Sequence, residues 1–143
     1  MKIQVQRLDP AIPLPRYAHP GDGGVDLHAA ESARLVPGDR SLIRVGIAVA
    51  IPEGYAGLVT PRSGLAWDHG VTVLNGPGLV DAGYRGELKV TLVNLGDEPY
   101  SVERCERIAQ LVVVPVATLE LVVVEGLPPS SRGEGGYGST GTH

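Results

Sequence analysis

Five polar or glycine-rich islands interrupt a chain of short apolar runs, and they hold the residues with chemistry to offer. In order they are Asp22-Gly-Gly-Val-Asp-Leu27, Pro61-Arg-Ser-Gly-Leu-Ala66, Asn75-Gly-Pro-Gly-Leu-Val-Asp-Ala-Gly-Tyr-Arg-Gly-Glu87, Arg107-Ile-Ala-Gln-Leu111 and Arg132-Gly-Glu-Gly-Gly-Tyr-Gly-Ser-Thr-Gly141. Asp26 and Asp81 are carboxylates in glycine-rich, strand-flanking segments. Either can hold Mg²⁺ through water or orient an attacking water. A turn aspartate bonded to its own backbone is the plain alternative for each.

The second island follows an expected strand and opens an expected short helix. Backbone N–H groups at a helix start, together with Arg62, suit a phosphate, and an ordinary helix start with Ser63 near the cap is the alternative. Ser63 does not read as a hydrolase nucleophile, because no Gly-x-Ser-x-Gly surrounds it. In the fifth island successive glycines can curl N–H groups around an anion while Arg132 adds a fixed positive fork. It is not a Walker A loop, and a solubilising tail would look similar. Asn75 offers both donor and acceptor, as reading a base edge requires. Tyr84 and Tyr137 supply flat rings for a sugar or base, or simply loop anchors. The four histidines share no metal-ligand spacing, so they read with Trp67 and Cys105 as surface or structural residues.

The elements that must position these islands are strands. Period-two or β-branched runs are expected at Lys2–Gln6, Gly24–Ala29, Ala33–Val36, Arg40–Ile51, Tyr55–Thr60, Val71–Leu74, Leu88–Leu95, Tyr100–Val102, Ile108–Val116 and Leu119–Val124. One short helix is expected over 63–69, with Gly70 past its end. Twenty glycines and twelve prolines, no Phe and abundant Val suit many short strands joined by tight turns. A sandwich, jelly roll or small barrel follows. From Glu125 the composition leaves little to bury, which predicts a mobile arm.

The 143 residues fit one domain. A net charge of −4 argues against a generally basic nucleic-acid surface. A lone cysteine excludes an internal disulfide and a cysteine-based zinc cluster. No apolar run approaches the length of a membrane span and no signal-peptide pattern opens the chain, so a cytoplasmic setting is expected.

Read in order over residues 22 to 141, the five islands resemble those of the homotrimeric deoxyuridine triphosphatase (dUTPase) family, most specifically in Asp-Ala-Gly-Tyr-Arg-Gly (81–86) and Arg-Gly-x-Gly-Gly-x-Gly-Ser-Thr-Gly (132–141). The resemblance implies an all-β, jelly-roll-like distorted barrel over residues 1–125. It also implies a homotrimer with interfacial active sites, and a mobile arm over 126–143 that closes over a neighbour's site. The implied reaction is hydrolysis of dUTP to dUMP and pyrophosphate with Mg²⁺ as cofactor, and neither nucleic acid nor membrane as partner.

The resemblance assigns roles residue by residue. Asp81 would activate the attacking water, and Arg132 would stabilise developing charge. Asp26 would meet the metal through water, and Arg62, Ser63, Gly64 and Gln110 would hold phosphates. Asn75, Leu79 and Val80 would line the uracil hairpin, Tyr84 would screen the sugar, and Lys89 would touch substrate at the hairpin's end. Tyr137, Gly138 and Ser139 would contribute from the arm, with Tyr137 standing where Phe is common in the family. A dCTP deaminase shares related motifs, but Leu88–Asn94 carries no acid for proton transfer and Glu87 precedes it. A non-catalytic nucleotide-binding module, which would lack Asp81 or the arm, is the other alternative.

Overall fold

The computed structural model describes residues 1–137 and 139–141. Eleven strands and one short helix make up the described secondary structure. They are β1 (Gln4–Arg7), β2 (Val25–His28), β3 (Ala33–Leu35), β4 (Arg40–Arg44), β5 (Ile47–Ala50), β6 (Tyr55–Thr60), α1 (Ser63–His69), β7 (Val71–Val73), β8 (Gly78–Val80), β9 (Lys89–Asn94), β10 (Tyr100–Val102) and β11 (Arg107–Pro115). All pairings are antiparallel and form four small sheets, ordered β1-β5, β10-β3, β2-β11-β6-β8 and β4-β9-β7. The architecture is the expected all-β, jelly-roll class. No described helix is long and apolar enough to cross a membrane.

Inward-facing aliphatic residues of all four sheets meet in one core. Leu27, Leu35, Ile43, Ile47, Leu92 and Ile108 are each 1% exposed or less. Burial of each such side chain contributes about 1.5–3 kcal/mol, which explains how short strands hold together. Among the described residues, Asn94 is the polar side chain that is fully buried with them. Its Nδ2 donates to Leu35 O (2.9 Å) and Glu98 O (2.8 Å), while its Oδ1 accepts from Gly96 N (2.9 Å). It therefore ties the β3 and β9 edges to the turn that follows.

Three expectations need correction. The run 40–51 is two strands, because Gly46 adopts φ 75° and its carbonyl turns to accept from Leu8 N (2.9 Å) and Asp9 N (3.0 Å). A Cβ there would meet Asp9 and Ile12 at 3.0 and 3.2 Å. The run Leu119–Val124 is not a strand and lies exposed. Both edges of β11 are already paired, and the chain leaves the sheet at Pro115, so this β-branched run finds no partner among the described residues. Conversely, β8 lies within the third island, outside the runs expected as strands, and pairs with β6 as Gly57↔Val80 and Leu58↔Leu79.

Helix α1 runs as expected. Gly70 ends it at φ 67°, with its N–H bonded to Ala66 O and Leu65 O. Its N-cap is Arg62 rather than Ser63, and no side chain caps it.

Candidate active site

Strand β11 gathers three of the five islands. Gln110 stands opposite Asp26 of β2 on one side and Thr60 of β6 on the other. Directly opposed antiparallel residues present their side chains to the same face. Two residues beyond Thr60 the chain reaches Arg62, still in extended conformation (φ −94°, ψ 128°) before α1 begins. Close pairing at this end needs a small residue, since a Cβ on Gly24 would meet Val112 Cγ2 at 3.1 Å.

The row centres on Asp26, whose side chain is only 10% exposed. Arg62 Nε lies 3.4 Å from its Oδ1, and Arg107 Nη1 lies 3.3 Å from its Oδ2. Arg62 Nη1 also donates to the Arg107 carbonyl (3.1 Å), locking the two arginines together. Oδ1 is buried with no hydrogen-bond partner despite its charge contact, and so is His28 Nδ1. Burial pushes the His28 imidazole below its ordinary value, and the Asp26 carboxylate opposes that only in part. These residues, with Arg16 and Glu106, border a cavity of about 760 Å³. On its wall the Glu106 carboxylate accepts from Tyr100 OH and from Glu103 N (2.8 Å). Burial, and then Glu106, raise the Tyr100 hydroxyl far above its ordinary value.

Asp81 lies elsewhere. It is exposed, just past β8, and borders a separate cavity of about 440 Å³ with Tyr55, Leu79 and Val116. The β6–β8 register puts it level with Ala56. Six residues of extended chain separate that level from Arg62, about 20 Å at the usual strand rise.

The other expected site residues divide between these places and neither. Ser63 and Gly64 are exposed at the start of α1, with open space around Gly64. Asn75 packs over Gly78, where a Cβ would meet its Nδ2 at 3.2 Å. Leu79 is exposed, whereas the Val80 side chain belongs to the core and leaves only its backbone for a ligand. Tyr84 donates through its hydroxyl to Glu87 O (2.9 Å), and its ring lies over Gly86. Lys89 pairs with Arg44 across the β4–β9 ladder and borders neither cavity.

In the arm, Arg132 Nε donates to Gly135 O (2.7 Å), and Tyr137 is fully exposed at φ 50°. Ser139 N donates to Gly136 O (3.1 Å). None of these three borders either cavity, and Gly138 lies outside the described residues.

Arg107 and His28 border the Asp26 cavity without having been singled out in the sequence. The signal for Arg107 was its place in the fourth island, and for His28 its period-two offset from Asp26. Glu87, the one acid beside the deaminase stretch, is spent on structure: its Oε1 accepts from Gly46 N (3.0 Å). Among the described residues, no group of three or more His, Cys, Asp or Glu side chains could cage a metal ion. The single bond-free oxygen of Asp26 instead fits an ion that keeps its own waters, as Mg²⁺ prefers.

Comparison with known proteins agrees with the islands. Residues 11–141 match the family model for dUTPase. The chain is 55% identical to the deoxyuridine 5'-triphosphate nucleotidohydrolase of Thermobifida fusca, covering all of this chain and 80% of that protein. It is also 55% identical to the enzyme of that name from Mycobacterium leprae, covering 99% and 96%. Among solved structures, the Staphylococcus bacteriophage 80alpha dUTPase with dUPNHPP superposes with a TM-score of 0.92 at 35% identity, over 99% of each chain. A mutant dUTPase from phage phi11 of S. aureus, which coordinates a structural Mg(II) ion, gives 0.81 at 31% identity, over 88% of this chain and 98% of that one.

Proposed function

Because the chain belongs to the dUTPase family, we propose that it hydrolyses dUTP to dUMP and pyrophosphate, keeping uracil out of DNA and supplying dUMP for thymidylate synthesis. The observation that carries this reading is the convergence of Asp26, Gln110, Arg62 and Arg107 at one end of the β2-β11-β6 sheet. Two fixed guanidiniums and a neutral amide on one face suit an oligophosphate.

Phosphoryl chemistry needs charge neutralisation and an aligned nucleophile more than covalent help. Arg62 and the Ser63 and Gly64 groups beside it hold phosphate oxygens, and Gln110 adds a neutral hydrogen bond. Asp26 would hold a Mg²⁺ ion through water, and such an ion would supply neutralisation of part of the triphosphate charge. Asp81 accepts the proton of a water that forms the new bond to the α-phosphorus. The bond from that phosphorus to the bridging oxygen breaks, and pyrophosphate leaves with the electron pair. Arg132 stabilises the charge that develops on the phosphate oxygens.

Asn75, Leu79 and the Val80 backbone receive uracil, and the Tyr84 ring excludes a 2′-hydroxyl. Tyr137, Gly138 and Ser139 close over the nucleotide, and Lys89 is the outermost contact. Asp81 and the arginine row border separate cavities of one chain, which favours a site assembled between chains, and the homotrimer expected from the resemblance supplies those chains. The β domain (1–125) is its body and residues 126–143 its closing arm. The setting is cytoplasmic.

The test is pyrophosphate release, with Mg²⁺, from dUTP, UTP, dCTP and dTTP in parallel, with ammonia followed in the dCTP sample. Release from dUTP alone upholds the reading. Ammonia from dCTP replaces it with a deaminase, and silence throughout overturns it.

A further inference from the structure

The chain between β1 and β2 contains no strand, yet it is held firmly. Ile12 is buried in the body, and Arg7 Nη2 donates to Pro10 O (2.6 Å) and Ile12 O (2.9 Å). Pro13 and Pro15 then fix φ on the approach to Arg16. This strap brings Arg16 to the rim of the cavity that holds Asp26, Arg62 and Arg107.

The charges around that cavity do not balance. Arg62 and Arg107 share the Asp26 carboxylate, and Glu106 is occupied by Tyr100 and the Glu103 amide. Arg16 makes no ion pair or side-chain hydrogen bond among the described residues. The same lining includes His28, whose Nδ1 is buried without a partner. An unpaired guanidinium on the rim of a cavity that already holds two others suits an anion with several oxygens.

We propose that Arg16 is a third oligophosphate-binding arginine of this cavity, contacting the pyrophosphate portion of the substrate and of the product. Resting on the dUTP reading for its natural ligand, the assignment lies outside all five islands. Since Arg16 sits on a proline-braced strap rather than on the arm, its contribution is in place before the arm closes.

The experiment titrates the full-length protein with inorganic pyrophosphate, without metal, by calorimetry. Arg16→Ala, Arg16→Lys and, as a charge control on β3, Arg34→Ala are compared with the parent. Losing one charge-assisted contact at a partly exposed site should weaken pyrophosphate binding about tenfold in Arg16→Ala. Arg16→Lys should recover part of the loss, and Arg34→Ala should stay within about twofold. Steady-state dUTP hydrolysis by Arg16→Ala should show KM raised by a similar factor with kcat within about threefold. Equal effects of Arg16→Ala and Arg34→Ala would overturn the assignment, as would absence of pyrophosphate binding by the parent. A parent that binds pyrophosphate through Arg16 but leaves dUTP intact would uphold it while sinking the dUTP reading.

Discussion

Asp81 and Arg62 lie at opposite ends of β6. Asp81 stands level with Ala56 near its start, and Arg62 lies beyond its far end, about 20 Å apart at the rise of extended chain. A nucleophile-orienting carboxylate and a phosphate-binding guanidinium that serve one substrate must come within a few ångströms of it. Within one chain they do not. Asp81→Ala and Arg62→Ala should therefore each abolish dUTP hydrolysis, yet complement each other when the two variants are unfolded, mixed and refolded together. Mixed assemblies contain interfaces that pair an intact Asp81 with an intact Arg62. Mixtures as inert as the parents would mean that each site is built from one chain.

The arm gives a second prediction. Residues from 132 onward, where described, border neither cavity, and Tyr137 is fully exposed. Deleting the arm should leave Tm and assembly size unchanged but slow dUTP turnover by about 10²-fold or more, the scale of losing a charge-stabilising group in the transition state. Near-normal kcat in the truncated protein would remove the arm from the mechanism.

Tyr84 is placed by its own hairpin. Its hydroxyl bonds to Glu87 O, and its ring covers Gly86, where a Cβ would meet Cζ at 2.7 Å. Tyr84→Ala should raise the kcat/KM of UTP relative to dUTP by about 10-fold or more, since the ring no longer crowds a 2′-hydroxyl. Gly86→Ala should move the ratio the same way by displacing the ring. An unchanged ratio in both variants would place sugar selection elsewhere.

Asn94 holds the fold rather than the chemistry. Asn94→Ala leaves the buried Leu35 carbonyl, together with the less buried Glu98 carbonyl and Gly96 amide, without their partner. The expected cost is about 3 kcal/mol, or a fall in Tm of roughly 10 °C at this size. Asn94→Asp should be destabilising too, because it replaces a double donor with an acceptor facing two carbonyls. A melt of Asn94→Ala within about 2 °C of the parent, well short of that fall, would show that the turn satisfies itself.

Acid stability has an identifiable contributor in Glu31. The backbone N–H of Arg44 donates to its Oε1 (2.9 Å), and this bond, ahead of the Arg44 guanidinium, holds the carboxyl below its ordinary 4.5. A carboxyl lowered in the folded state stabilises above its unfolded value and loses that contribution as pH falls through the folded one. Glu31→Gln should therefore lower Tm at neutral pH and leave it nearly unchanged once the pH is below the folded value. The variant should therefore lose less Tm than the parent between those two conditions, and an equal loss in both proteins would show that other groups carry it.

Much of this molecule is legible in its sequence, for a physical reason. Alternating and β-branched runs specify strands locally, so ten of the eleven strands fall within or beside apolar runs readable from the chain. Helix α1 and its Gly70 stop are equally local. The family resemblance rests on five short segments that keep their chemistry wherever the fold carries them. What local pattern leaves open is pairing. Leu119–Val124 has the composition of a strand but pairs with no described edge, while Gly78–Val80 becomes a strand only because β6 offers one. The site divides the same way: residue types announced Asp26 and Arg62. Only the antiparallel register across β11 puts Asp26 opposite Gln110 and brings Arg107 against the same carboxylate. The β6–β8 register, in turn, carries Asp81 to the other end of β6, because distance between islands is set by long-range strand pairing and not by the residues within them.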